Sequence, residues 1–137
     1  MLTEYLQGIY CCDINTSFDK KIFAKYNIGI VINFTVDYDF LDLDIKKIRV
    51  PLSRDMNFHT DIQLLNKNMS KLLNIINNNY IENNILFCCY DGISISPLII
   101  GLFIHKFGNI PLNQIKDILR SKNNKICIDY DMSIFRL

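Results

Sequence analysis

The feature that most constrains this sequence is a short apolar segment that leads directly into a glycine-containing loop and then into an apolar helix. Ile85 to Cys89 contains no charged or amide residue, which is typical of a strand buried on both faces of a parallel sheet. The loop continues to Pro97, and apolar residues then dominate up to Gly108. A strand, a turn and a helix in this order can direct backbone N–H groups towards an anion. We therefore expect the chemistry of the chain to lie in this loop.

Apolar strand-like segments alternate with amphipathic helix-like segments along the rest of the sequence. The pattern predicts strands at Ile9–Cys11, Gly29–Phe34, Lys47–Val50 and Ile85–Cys89, and helices at Phe18–Tyr26, Thr60–Asn77, from the loop to Gly108, and from Pro111 onward. We expect residues 1–137 to form a single α/β domain. Its central sheet should be mostly parallel and covered by helices on both faces.

The helix predicted at Thr60–Asn77 has the clearest periodicity in the chain. Its apolar residues recur every three or four positions: Ile62, Leu65, Met69, Leu72, Leu73 and Ile76. Thr60 is expected to cap its N-terminus while Gln63 reaches back, and the asparagines at 77–79 are expected to end it. Gly108 similarly predicts the end of the helix that follows the loop. A short last turn is expected between Asp131 and Leu137.

Charge and hydropathy exclude several classes of function. The 15 basic and 14 acidic residues leave a formal charge of +1, so no general attraction to DNA or to an anionic membrane is expected. The longest apolar run, Leu98–Ile104, is far shorter than the roughly 20 residues that cross a bilayer. The first residues lack the pattern of a signal peptide, which predicts an intracellular, cytoplasmic protein.

The five cysteines are expected to be free thiols in such a reducing compartment. They form two adjacent pairs, Cys11–Cys12 and Cys88–Cys89, with Cys127 alone, and no pair has the Cys-x-x-Cys spacing of a zinc site. The sequence therefore predicts neither a metal nor another cofactor.

The loop resembles that of the dual-specificity subgroup of cysteine-dependent protein phosphatases, including those of large DNA viruses. That family's pattern is His-Cys-x-x-Gly-x-Ser-Arg-Ser. The matching residues of this chain are Cys88, Cys89, Tyr90, Asp91, Gly92, Ile93, Ser94, Ile95 and Ser96. The cysteine, the glycine and both serines match, whereas Cys88 replaces the histidine and Ile95 replaces the arginine. Residues 26–33 and 50–55 also resemble family segments, so the resemblance spans nearly the whole chain.

The resemblance implies a role for each loop residue. Cys89 occupies the position of the nucleophile, and residues 89–96 that of the phosphate-binding loop. The resemblance also implies that Ser96 can donate a hydrogen bond to a leaving thiolate. Ile95 cannot replace an arginine, whose planar charged group matches two phosphate oxygens. Arginines that stabilise phosphoryl transfer are worth about 10³ to 10⁵ in rate, so catalysis is expected to be nearly lost. We expect Ile95→Arg to restore some oxyanion binding.

The general acid of the reaction is sought in the segment that follows Pro51. Asp55 is the candidate acid, but its spacing from Pro51 is one residue longer than the commonest family pattern. Arg54 then occupies the acid position instead, and it could return part of the missing positive charge to the loop. Both alternatives stay open at the level of the sequence.

Two functions follow from the resemblance. The first is a catalytically inactive pseudophosphatase that acts by binding a protein partner, which could be a phosphoprotein, or by competing with an active phosphatase. The alternative is a weak or specialised phosphatase that acts on a phosphoprotein or an RNA 5′-phosphate, with Cys89 as its nucleophile. Ile95 favours the first, whereas Cys89, Gly92 and Ser96 favour the second. A purely structural, oligomeric protein is the third reading, and the sequence does not give the oligomeric state.

Overall fold

The computed structural model describes residues 2–56 and 58–137, which form a five-stranded sheet with helices on both faces. The strands are β1 (Leu2–Leu6), β2 (Ile9–Asp13), β3 (Ile28–Asn33), β4 (Lys46–Arg49) and β5 (Asn84–Cys89). Their order in the sheet is β1-β2-β5-β3-β4. The β1–β2 pair is antiparallel, and the other three pairs are parallel. The apolar strand β5 therefore lies at the centre, where strands cover both of its edges.

The helices are α1 (Lys20–Lys25), α2 (Gln63–Asn79), α3 (Ile95–Gly108) and α4 (Leu112–Lys122). A π-helical turn, Phe58–Ile62, leads directly into α2, and short 3-10 turns lie at Thr16–Phe18 and Met132–Ile134. In the described part of the chain, no helix combines the length and the apolar character needed to cross a membrane.

The two faces of the sheet carry separate apolar clusters. Helices α2, α3 and α4 cover one face, against residues such as Ile32, Phe87 and Cys89. On the other face, Phe23 of α1 packs with Leu86 and other buried residues, and partly buried side chains of the segment 38–45 complete the cover. Because successive side chains of a strand alternate between faces, Cys88 and Cys89 point to opposite sides of β5.

The predicted α/β architecture and the mostly parallel sheet are confirmed, and so are the four predicted strands. The strand β1 was missed by the sequence prediction. Only Tyr5 of its five residues is buried, so it lacks the apolar character that identified the others. The predicted helix 18–26 is shorter, because a 3-10 turn occupies its beginning.

The predicted start of α2 is wrong, whereas the predicted end of the helix that follows the loop is confirmed. Thr60 does not cap α2, because helical structure already begins at Phe58 and Thr60 lies inside the π-helical turn. Gly108 is the last residue of α3, and Asn109, with a φ of 54°, makes the left-handed turn that ends it. Ser96 lies inside α3, whose N-cap is Ser94.

Candidate functional site

The loop between β5 and α3 begins at Cys89, in the middle of the sheet. Cys89 is paired in register with Asp13 at the end of β2, and Asn33 at the end of β3 is paired with Cys88. The loop therefore lies above the carboxyl ends of three parallel strands, the edge of an α/β sheet at which ligands usually bind.

Gly92 lets the loop pass close to strand β2. Its φ is +74°, and a Cβ atom at this position would lie 2.7 Å from the backbone nitrogen of Asp13 and 2.9 Å from the carbonyl carbon of Cys12. Residues with a side chain rarely adopt this backbone conformation. The carbonyl of Gly92 also accepts a hydrogen bond from the Cys11 thiol, at 3.3 Å. The glycine that the sequence singled out thus has a packing requirement as well as a conformational one.

The Cys89 thiol lies beneath the loop and is 1% exposed. Its Sγ accepts a hydrogen bond from the backbone N–H of Ser96, at 3.5 Å, and lies 3.7 Å from Oδ1 of Asp91. Burial raises the pKa of Cys89 above its ordinary value, and the negative charge of Asp91 adds to this. Hydrogen bonds from Ser96 and Gly92 oppose the shift without cancelling it. Cys89 is therefore mostly a protonated thiol at neutral pH.

Asp91 occupies the loop with its own carboxylate. Its Oδ1 accepts hydrogen bonds from the backbone N–H of Ile93 at 3.0 Å and of Ser94 at 3.2 Å. The Ser94 hydroxyl lies 2.9 Å from Oδ1 and 3.1 Å from Oδ2. The Asp91 carboxylate is thus an internal anion that occupies hydrogen-bond donors of the loop. It also lies within hydrogen-bond distance of the Cys89 thiol.

Ile95, the residue in the arginine position, is 6% exposed and belongs to the apolar cluster on the face of α2, α3 and α4. Its side chain stabilises the start of α3 by packing and offers no charge to the loop. Ser96 follows it and is fully buried. The Ser96 hydroxyl lies close enough to Cys89 and Cys11 to lower the pKa of both thiols, but it makes no well-formed hydrogen bond within the described residues.

Tyr90 joins the loop to two other segments. Its hydroxyl donates to Oδ1 of Asp37 at 2.6 Å and lies 3.0 Å from the carbonyl oxygen of Leu52. The Arg54 guanidinium lies 4.5 Å from the centre of the Tyr90 ring and donates to the Tyr38 hydroxyl at 3.1 Å. Such cation–π contacts are favourable by about 0.5–1 kcal/mol at exposed sites. Arg54 is therefore held at the rim of the loop.

Asp55, the candidate general acid, lies next to Arg54 but does not join this cluster. Its side chain is exposed, and within the described residues no hydrogen bond or ion pair involves it. Of the two alternatives for the acid position, Arg54 is the one that contacts the loop. The roles of Tyr38 and Asp37 were missed by the sequence analysis, since 52 residues separate Tyr38 from Tyr90 and no local pattern connects them.

The other cysteines lie around the site as buried thiols. Cys11 shares the face of Cys89, and burial raises its pKa well above the ordinary value. Cys12 and Cys88 are register partners on the opposite face, and burial raises the pKa of Cys88 to about 12. Only Cys127 is exposed among the five, all of which are free. No group of three or more side chains suited to a metal ion occurs in the described ranges.

Comparison with known proteins gives a fold but no sequence relative. No family model matches the chain, and no curated protein matches it significantly in sequence. DUSP15 superposes with a TM-score of 0.80 at 16% identity, with 97% of this chain and 83% of that chain covered. Human DUSP28 superposes with a TM-score of 0.81 at 11% identity, over 97% and 88% of the two chains.

A third similar structure is the human tyrosine phosphatase-like serine/threonine/tyrosine-interacting protein. It superposes with a TM-score of 0.76 at 12% identity, over 96% of this chain and 89% of that one. At such identities a structural match establishes the fold and not the chemistry. The chain thus has the single-domain α/β fold of the dual-specificity phosphatases.

Proposed function

We propose that this protein is a pseudophosphatase: it keeps the fold and the loop of a phosphatase, does not turn over phosphate esters, and acts by binding a protein partner or by competing with an active phosphatase. A phosphoprotein is one such partner. We also propose that it is of the type found in large DNA viruses and works in the cytoplasm, where its five thiols stay reduced.

The observation that carries the proposal is the position of the Asp91 carboxylate. Its Oδ1 accepts the N–H groups of Ile93 and Ser94, and these are donors that a phosphoryl oxygen would need. A substrate dianion would have to displace the carboxylate or approach it closely, and like charges in contact repel. The loop is therefore closed to an anion by its own side chain.

Two further features support the loss of catalysis. Ile95 is buried in the apolar cluster and cannot stabilise a transferring phosphoryl group. Burial and Asp91 keep the pKa of Cys89 raised, so little of the nucleophilic thiolate is present at neutral pH. The similar human structure is named a tyrosine phosphatase-like interacting protein, which supports a binding role for this fold.

The test is to measure hydrolysis of an aryl phosphate by the wild-type protein and by Cys89→Ser. We expect both rates to equal the rate without protein, because the wild type lacks the arginine and holds a protonated thiol. Titration with orthovanadate is expected to show no saturable binding. A clear wild-type rate that Cys89→Ser abolishes would show that the protein is an enzyme.

The position of Arg54 favours a second candidate function, a weak cysteine-dependent phosphatase acting on a phosphoprotein or an RNA 5′-phosphate. The guanidinium is held over Tyr90, next to the loop, and is the residue best placed to replace the missing arginine. If this function holds, Arg54→Gln lowers a Cys89-dependent rate by at least about tenfold, in line with the loss of a transition-state donor. Lys122→Gln, on an exposed residue at the end of α4, is the matched control.

A further inference from the structure

An open sheet edge lies beside a groove on the outer side of the molecule. Strand β4 is the last strand of the sheet, and among the residues that the structure describes it pairs with β3 alone. Between it and α2 lies a groove of about 350 Å³, with apolar side chains that include Ile48, Leu64 and Ile75. The groove is separate from the loop at Cys89, so an inference about it does not depend on whether the loop is catalytic.

The outward backbone groups of β4 can be assigned from its register. The N–H of Val50 donates to the carbonyl of Asn33 in β3 at 2.9 Å. Because backbone groups alternate in direction along a strand, Ile48 also faces β3, whereas Lys47 and Arg49 direct their N–H and C=O groups away from the sheet. Two donors and two acceptors are thus available to an added strand. Pro51 ends this edge, since it has no N–H to donate.

The charge around the groove is positive. Lys71 lines it, Lys67 lies one helical turn away on α2, and Lys46 shares the face of Ile48 by strand alternation. Arg49 is already engaged, since it donates to the carbonyls of Thr35 and Tyr38 and pairs with Asp39. No residue that lines the groove is acidic in the described part of the chain.

We propose that β4 and this groove bind an extended, acidic and apolar segment of a protein partner, which adds a strand to the sheet. Strand addition uses backbone hydrogen bonds for affinity and alternate side chains for specificity. Apolar side chains of the segment would enter the groove between β4 and α2, and its carboxylates would meet Lys46, Lys67 and Lys71. The proposal extends the binding function proposed above by naming a surface and the chemistry of its partner.

The lysines also argue against a second copy of this chain as the occupant. Lysine on an edge strand is a common means of preventing edge-to-edge association. Pairing two β4 strands would bring Lys46 and Lys47 close to the same residues of the other copy, which is unfavourable. An acidic strand removes this repulsion, so the charge that prevents self-pairing favours the proposed partner.

The experiment uses an acetylated, fluorescent nine-residue peptide of alternating valine and glutamate, with a valine–lysine peptide as its charge-reversed control. We expect saturable binding of the acidic peptide and at least about tenfold weaker binding of the basic one. Binding of the acidic peptide should weaken with added salt, because the lysines are exposed. Equal binding of both peptides, or no binding of the acidic one to folded protein, would overturn the proposal.

Two variants test the two parts of the surface separately. Lys71→Glu is expected to weaken binding about fivefold to tenfold by reversing one exposed charge. Lys47→Pro removes an outward N–H and is expected to weaken binding by about tenfold, the value of one backbone hydrogen bond. Lys122→Glu, on α4, is the control and should bind like the wild type. If neither groove variant weakens binding, the peptide binds elsewhere and the assignment is wrong.

The outcome can be separated from that of the proposed function. Aryl phosphate hydrolysis and vanadate binding report on the loop at Cys89, whereas the peptide titration reports on β4 and α2. Self-association through β4 would appear as a dimer in sedimentation that Lys47→Pro dissociates, and this result would also refute the proposed occupant.

Discussion

Asp91 is the residue on which the proposed inactivity depends most directly, because its carboxylate accepts two backbone N–H groups and the Ser94 hydroxyl. A loop with unused donors would need another partner for them, since buried or crowded N–H groups are almost always satisfied. Asp91 satisfies them internally. In doing so it stabilises the loop and fills the place of an anion at the same time.

Removing this carboxylate should open the loop to oxyanions. We expect Asp91→Ala to bind orthovanadate measurably, while the wild type and Ile95→Arg do not, since an arginine placed at position 95 would pair with Asp91 instead. This revises the sequence-based expectation that Ile95→Arg alone restores binding. The double variant Asp91→Ala, Ile95→Arg should bind most tightly. Calorimetry measures each affinity, with Asp55→Ala as an exposed carboxylate control.

Cys127 should be the thiol that reacts first with iodoacetamide in the native protein. It is exposed, whereas Cys11, Cys12, Cys88 and Cys89 are buried. Its thiol donates to the Asp129 carboxylate at 3.4 Å, and this hydrogen bond and the negative charge raise its pKa. The thiolate is the reactive form, so the rate should rise with pH through a pKa above the ordinary value.

A matched pair of variants tests the cause of this shift. Asp129→Asn should move the pH profile of Cys127 alkylation to lower pH, because the charge that opposes thiolate formation is removed. Asp131→Asn should leave the profile in place, since the Asp131 side chain accepts hydrogen bonds from Ser133 instead. Mass spectrometry locates the modified residue, and earlier modification of Cys89 than of Cys127 would contradict the burial of the loop thiol.

Strand β5, its loop and α3 were predictable because their local sequence pattern matches the environment that the fold gives them. Ile85–Cys89 is apolar and lies where both faces are covered, and Gly92 has the positive φ that its place in the turn demands. The start of α2 was not predictable in the same way. Asp61 there is buried and accepts from the N–H and the hydroxyl of Ser53, a tertiary contact that a capping pattern cannot reveal.

The position of Arg54 at the rim of the site was likewise not predictable from local sequence. Arg54 was open as an alternative in the sequence, but its position over Tyr90 depends on how the segment after Pro51 packs against β5 and the segment after β3. Asp91 lies only two residues from Ile93, so its acceptance of a loop N–H group is a local contact. Contacts within a few residues follow from the sequence, and contacts between distant segments follow from the fold.

The junction between the loop and β2 should be sensitive to a single methyl group. Gly92→Ala places a Cβ 2.7 Å from the backbone of Asp13 and forces a side chain into a φ of +74°. We expect a loss of about 1–3 kcal/mol in the free energy of unfolding. Urea denaturation measures it.

Gly101→Ala is the control for this prediction. The three atoms nearest to a Cβ there belong to the side chains of Ile115, Leu119 and Met132, at 2.7, 3.0 and 3.1 Å, and side chains can shift more readily than backbone. Alanine also favours a helix over glycine by about 1 kcal/mol. Gly101→Ala should therefore cost less than Gly92→Ala, and the reverse order would show that the loop does not pack on β2 as described.

Across the sheet as a whole, stability should fall from the centre to the edges. Strand β5 has hydrogen-bonded neighbours on both sides, and its residues Ile85 to Cys89 are at most 1% exposed. Strand β4 has one neighbour, and its lysines are exposed. Regions with few buried contacts and open backbone groups are the ones that exchange amide hydrogens most readily.

Native-state hydrogen exchange followed by NMR tests this gradient at single amides. The N–H groups of Leu86 and Phe87 should exchange last, through global unfolding, because no smaller opening exposes the central strand. Within β4 the amide of Ile48, which faces β3, should be protected, whereas those of Lys47 and Arg49 should exchange quickly because they point away from the sheet. Addition of the acidic peptide should then slow the Lys47 and Arg49 amides selectively. Strong protection of these two amides in the free protein would mean that the β4 edge is already covered in solution, which contradicts an edge available to a partner strand.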